Sequence, residues 1–269
     1  MAVRLPPEEE NFRERLDALE RDARAAVRYL YTGATINHLA AERAPLAAAL
    51  DRDAGFWNTL LGALHTASVA ALGRIYDVHR NVGSAARLLE HSSKYSTGLF
   101  SLLALESRKA RVLPAAGAIR FAEHAYVPDA NDFESLRAAL EARAGLYETL
   151  IGPLRDEVAH FDRVALSRHC ELSQRVRTAD FEQLALFPLS LHRALARLFE
   201  SGDKPELETP PTDIARLAGQ TYLERDMDSW EQYFSTRDAA RFLAGLGEEW
   251  HPDPAKEEAS YEGGDDYDD

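Results

Sequence analysis

The run Gly55-Phe56-Trp57-Asn58-Thr59-Leu60-Leu61-Gly62-Ala63-Leu64-His65-Thr66-Ala67-Ser68-Val69-Ala70-Ala71-Leu72-Gly73 carries no formal charge over 19 residues. That is long enough to raise the question of a membrane span. Asn58, Thr59, His65, Thr66 and Ser68 argue against one, and the chain holds no second apolar span to pair with it. The run is therefore read as the central helix of a helical bundle, buried on most sides. The stretch around it extends the helix from about Asp53 to Tyr76.

Working outward, the pattern stays helical. Ala, Leu, Arg and Glu dominate, β-branched runs are missing, and no hairpin signal or internal repeat is present. A first helix is expected from about Pro7 to Tyr31, its apolar stripe made of Phe12, Leu16, Leu19, Ala23, Ala26, Val27 and Leu30. A second is expected over about Thr35 to Leu50. After the central helix, Ser84 is a plausible N-cap for a short helix containing Leu88-Leu89. Tyr95 to Val112 reads as one helix stopped by Pro114, and Ala115 to Tyr126 as the next. Asn131 with Glu134 gives a capping-box-like start to a long helix running to about Asp162, kinked or restarted at Gly152-Pro153. Thr178 or Asp180 can cap a helix reaching Phe199, which Ser201-Gly202 ends. A Pro-rich linker, Gly202 to Thr212, leads to a last helical piece over about Asp213 to Leu246. The fold class expected is an all-α bundle over residues 1–200, a helical C-terminal extension over 201–250 and a disordered acidic tail over 251–269.

Composition bounds the function. The chain has 269 residues, 28% of them charged and 45% hydrophobic, which suits a globular protein of one or two domains. Cys170 is the one cysteine, so a disulfide scaffold and a multi-cysteine zinc site are excluded. No histidine pair stands in an H-x3-H or H-E-x-x-H frame, and neither metal nor cofactor is expected. The start, MAVRLPPEEE, does not read as a signal segment, and a cytoplasmic location is expected. The net charge is −14, of which residues 248–269 supply −9. The body is thus mildly acidic, which argues against a bulk nucleic-acid coat protein but leaves room for a local basic site.

The chemistry-bearing segment is Ile151-Gly152-Pro153-Leu154-Arg155-Asp156-Glu157-Val158-Ala159-His160-Phe161-Asp162-Arg163. On a helical wheel Leu154, Val158 and Phe161 form the core face and every polar group lies opposite. Arg155 and His160 fall about 140° apart, so one ideal helix does not bring them together. Asp156 and His160 are four apart and can interact. Ala159 leaves room for a second helix, and a two-fold dimer on this face would gather two Arg and two His into one cleft. The plain alternative is a solvated helix face with i,i+4 pairing.

Arg155-Asp156-x-x-x-His160 resembles the R-x4–6-H motif of the HEPN superfamily, in which the residue after Arg is often Asn, Asp or His. Upstream, Trp57, the run Leu72-Gly73-Arg74-Ile75-Tyr76-Asp77, Ser84 and Leu88-Leu89 resemble the abortive-infection branch of that superfamily. The resemblance covers roughly residues 10–200. It implies metal-independent endoribonuclease activity in phage defence or a toxin–antitoxin setting, in which a 2′-hydroxyl attacks the adjacent phosphate and leaves a 2′,3′-cyclic phosphate. His160 would then act as general base or acid. Arg155 would hold the phosphate and stabilise charge on its oxygens. Asp156 would orient His160 or the Arg. Implied partners are RNA, a second copy of the chain across the cleft, and a cognate antitoxin or nucleotidyltransferase-like protein, with no membrane.

Glu157 departs from a clean anion site. Against it stand Arg163, Arg168, His169, Arg175 and Arg177, which read either as a charged surface or as a run that guides an RNA backbone. Arg108-Lys109-Arg111 is a second basic stretch. Arg74 and Asp77 read as a helix-end salt bridge or as support for the site. His65 reads as a satisfied core histidine, Cys170 as an idle thiol, and the tail as a solubilising appendage or an RNA mimic that screens the basic cleft. The superfamily also includes inactive modules, so a non-catalytic HEPN interaction or dimerisation module is the alternative. A helical scaffold unrelated to HEPN is the third reading; it requires that residues 57–90 and 146–162 do not pack together.

Overall fold

The structure, a computed structural model, describes residues 5–76, 84–151, 178–210, 212–219 and 231–248. These form α1 (Pro7–Glu42), α2 (Ala44–Arg52), α3 (Ala54–Tyr76), α4 (Ala85–Lys94), α5 (Ser96–Phe100), α6 (Leu102–Lys109), α7 (Ala115–Ala122), α8 (Ala130–Leu150), α9 (Thr178–Ser201), α10 (Ile214–Gly219) and α11 (Glu231–Glu248). No strand occurs among the described residues. The all-α bundle expected from the sequence is what the chain forms. Among the described residues no helix is long and apolar enough to cross a membrane.

The spine is α1. Pro7 stands in its first turn, where the missing N–H costs nothing, and Glu8, Glu9 and Glu10 face the positive end of the helix dipole. The expected stripe is buried from Phe12 to Val27 and continues through Tyr31, Ile36 and Leu39. The second helix does not begin at Thr35: α1 runs straight through Gly33. A helical glycine costs about 1 kcal/mol relative to alanine, and close packing on α3 outweighs that. A Cβ placed at Gly33 would lie 3.8 Å from Leu61 and 4.0 Å from Leu64. The break comes instead at Arg43, which is extended, because Pro45 cannot sit in a helix interior and opens α2.

α3 departs from expectation in its burial. Ser68, Val69, Ala71, Leu72, Gly73, Ile75 and Tyr76 are buried, but the half from Ala54 to Ala67 is half-buried or exposed. The Ser68 hydroxyl donates to the Ala26 carbonyl on α1 at 3.0 Å, tying the buried half of α3 to the spine.

Local signals explain the other ends. Ser84 caps α4 by accepting from the Arg87 N–H. The single helix expected over 95–112 is divided, because Ser101 turns extended and accepts from the Ala104 N–H to start α6. Asp129 and Asp132 make a full capping box for α8, two residues ahead of the Asn131/Glu134 pair read from the sequence. Gly202 ends α9 with φ +68°, and the Tyr126 N–H donates to its carbonyl at 2.7 Å.

One large core joins α1, the buried half of α3, α4, α5, α8 and α9, with Leu217 and Tyr233 from the C-terminal helices. A smaller one gathers Ile36, Leu39, Leu46 and Leu243, with Trp57, Leu61 and Leu64 packed against it. The acidic tail, 251–269, lies outside the described residues.

Candidate functional site

Arg155, Asp156 and His160, with Arg163, Arg168, Arg175 and Arg177, lie outside the described residues, as do Asp77, Glu157, His169 and Cys170. What the structure describes is the frame on either side of them. α8 leads towards the motif and ends on Ile151, fully buried, its N–H donating to the Tyr147 carbonyl at 2.7 Å. α9 begins at Thr178, directly after Arg177.

The frame is knit together by two tyrosines. Tyr76, at the end of α3, stacks on Tyr147 of α8 with centroids 5.4 Å apart and planes 21° apart. Its hydroxyl donates to the Leu184 carbonyl on α9 at 2.8 Å. Burial drives the Tyr76 pKa upwards, so the phenol stays a neutral donor at physiological pH. The upstream block Leu72–Tyr76, the approach Tyr147–Ile151 and α9 thus share one core. This is the packing that an unrelated helical scaffold would lack.

The other basic residues that the sequence singles out, Arg74, Arg108, Lys109 and Arg111, are engaged in structure. Arg74 pairs with Asp22 on α1 at 2.9 Å. The stretch Arg108-Lys109-Arg111 is not an open phosphate surface. Arg108 is buried, donates to the Phe199 carbonyl at 2.8 Å and lies 4.0 Å over the Phe199 ring. Burial lowers its pKa to about 10, leaving it charged at neutral pH. Arg111 grips the buried Glu9 through both guanidinium nitrogens, at 2.8 and 3.2 Å. Lys109 sits over the Phe121 ring.

Sequence reading missed the ion pairs that bind the ends of the chain together. Glu231 of α11 is buried and accepts from Arg24 at 3.0 Å and Arg28 at 2.8 Å, both on α1. No local spacing signals it, because the partners are some 200 positions apart. His192 is largely buried, 3.8 Å from Glu20; burial holds its pKa below the usual histidine range, with Glu20 opposing. Among the described residues no group of three His, Cys, Asp or Glu could hold a metal ion.

A family model of the HEPN superfamily, described as AbiU2, matches residues 9–232. The chain belongs to the AbiU2 family of HEPN domains. Searches among curated proteins and among solved structures return no match. The matched span of this AbiU2 domain contains the upstream block, the Tyr76–Tyr147 stack, Arg155 to His160 and the whole basic run to Arg177. The AbiU2 assignment associates the chain with abortive infection.

Proposed function

We propose that this AbiU2 domain is a metal-independent endoribonuclease acting in phage defence or as the toxin of a toxin–antitoxin pair. The observation that carries the reading is the Tyr76–Tyr147 stack: the end of the upstream block that resembles abortive-infection HEPN proteins packs on α8, the helix that precedes Arg155-Asp156-x-x-x-His160 in the chain, inside the span the family model matches. His160 takes the proton of the attacking 2′-hydroxyl or delivers one to the leaving 5′-oxygen. Arg155 binds the phosphate and stabilises its developing charge through a planar fork of donors. Asp156 orients one of the two. The bond formed is 2′-oxygen to phosphorus and the bond broken is phosphorus to 5′-oxygen, leaving a 2′,3′-cyclic phosphate and a 5′-hydroxyl. The cleft lies between two copies of the chain, and Arg163, Arg168, Arg175 and Arg177 guide the RNA backbone.

The test is cleavage of labelled single-stranded RNA in EDTA by the wild type, Arg155→Ala and His160→Ala. Cleavage by the wild type, lost by about 100-fold or more in both variants, is the expected result for a positioned acid–base and anion-binding pair. Equal rates in all three, or none in any, remove the catalytic reading.

A non-catalytic interaction module within a defence complex is the second reading, and exposed apolar surface favours it. Leu102, Leu103, Val112, Leu113, Ile119, Phe121 and Val127 are all exposed around the α6–α7 hairpin, a concentration typical of binding surfaces. This reading expects all three proteins to be silent on RNA.

A further inference from the structure

A cavity of about 670 Å³ lies between α1, α3 and α11. That is within the range of small-molecule sites. Its two ends differ in chemistry. α1 and α11 run side by side in the same direction: Arg28 meets Glu231 at one end, and Ile36 packs with Leu243 at the other. From Arg28 to Ile36 is about 12 Å by helix rise. The first end is charged. The second is apolar, walled by Ile36, Trp57, Phe242 and Leu243, and Thr32 and Ser235 stand between.

The charge that a ligand meets at the first end is positive. Glu231 is buried, and its two oxygens are taken by Arg24 at 3.0 Å and Arg28 at 2.8 Å. Arg28 gives only its Nε to that pair. Its side chain is 60% exposed, and its two terminal nitrogens have no partner among the described residues. Asp238, the other carboxylate of the lining, is answered by Arg237 at 3.4 Å and Arg241 at 3.8 Å. A guanidinium with open donors binds a carboxylate or phosphate oxygen more strongly than a neutral one. At the apolar end Phe242 is 63% exposed and Trp57 half-buried. An apolar chain laid on these rings takes both surfaces out of water.

We propose that this cavity binds a free, single-chain amphiphile with an anionic head. The head sits on the terminal nitrogens of Arg28, and the chain runs past Thr32 to Trp57 and Phe242. The site uses none of the residues 152–177 and does not depend on the ribonuclease reading.

The probe is octanoate, titrated calorimetrically into the full chain below its micelle concentration. Saturable binding is expected. Octanol, which lacks the charge, is expected to bind about tenfold more weakly or worse, and acetate, which lacks the chain, to give no heat. Arg28→Gln leaves Glu231 paired with Arg24 and is expected to weaken octanoate about tenfold while leaving octanol unchanged. Ala239 lines the cavity, and Ala239→Leu is expected to weaken both ligands about fivefold or more by filling it. Both variants are checked for wild-type thermal unfolding; if neither folds, the comparison of octanoate with octanol in the wild type decides. No saturable octanoate binding overturns the proposal. So does octanol binding as tightly as octanoate, or octanoate binding unchanged in a folded variant. Phosphatidylglycerol vesicles separate a free ligand from a membrane. The chain is expected to stay in the supernatant; pelleting that is lost in Arg28→Gln overturns the free form in favour of a lipid headgroup.

Discussion

The two halves of the uncharged run Gly55–Gly73 on α3 have opposite surroundings. From Ser68 to Tyr76 every residue but Ala70 and Arg74 is buried, against α1, α9 and Tyr147; from Ala54 to Ala67 the helix is half-buried or open, and Phe56 is 64% exposed. Neither half of the run Gly55–Gly73 carries a charge. A lack of charge therefore marks where a helix can be buried at low cost, and the neighbours decide where it is buried. The C-terminal half meets α1 where the Ser68 hydroxyl reaches the Ala26 carbonyl. The N-terminal half meets the smaller core through the partly buried Trp57, Leu61 and Leu64.

The contrast is broken most easily on its buried side. Leu72 is fully buried, and Leu72→Ala is expected to destabilise the chain by about 2–5 kcal/mol in urea unfolding, the range for removing a buried leucine. A smaller cost would mean that the core around α3 relaxes into the space. Next in size is a backbone position. Gly202 has φ +68°, and a Cβ there would lie 2.4 Å from the Ala125 Cβ and 2.9 Å from the Leu105 Cδ2. Gly202→Ala is expected to cost about 1–3 kcal/mol, from strain plus displacement of Ala125.

His192 contributes a pH dependence. Its folded pKa lies below 6.5 because burial disfavours the cation, so the unfolded chain binds the proton more readily. Stability from this group is complete above the unfolded pKa and declines as pH falls from there towards the depressed folded pKa. The urea midpoint should therefore drop between about pH 7.5 and pH 5.5, and drop less in His192→Gln. Identical slopes in the two proteins would refute that assignment. The smallest effect belongs to the open half of α3. Phe56→Ser is expected to change stability by no more than about 0.5 kcal/mol, as for an exposed position. A loss well above that would show that Phe56 is covered in solution, and the two halves would then be alike.

Much of the fold was legible because its signals are local. Pro7, Ser84, Pro114 and Gly202 each mark a helix end through their own chemistry, and the stripe from Phe12 to Val27 announces the buried face of α1. The failures are places where distant partners override a local preference. Gly33 stays helical because Leu61 and Leu64 pack close beside it. Arg108 is buried because the Phe199 carbonyl and ring receive it from a helix ninety positions away. At the candidate site the residue types in Arg155-Asp156-x-x-x-His160 were readable and the family match contains them. The frame before it was not readable: the pairing of Tyr76 with Tyr147 arises from tertiary contact alone.

The most direct measurement is the chemistry of the ends left when the purified wild-type chain cuts single-stranded RNA in EDTA. The expected products carry 2′,3′-cyclic phosphates and 5′-hydroxyls, made without metal and lost in His160→Ala. Uncut RNA, 3′-hydroxyl ends, or cleavage that survives in His160→Ala would contradict a ribonuclease built on Arg155 and His160.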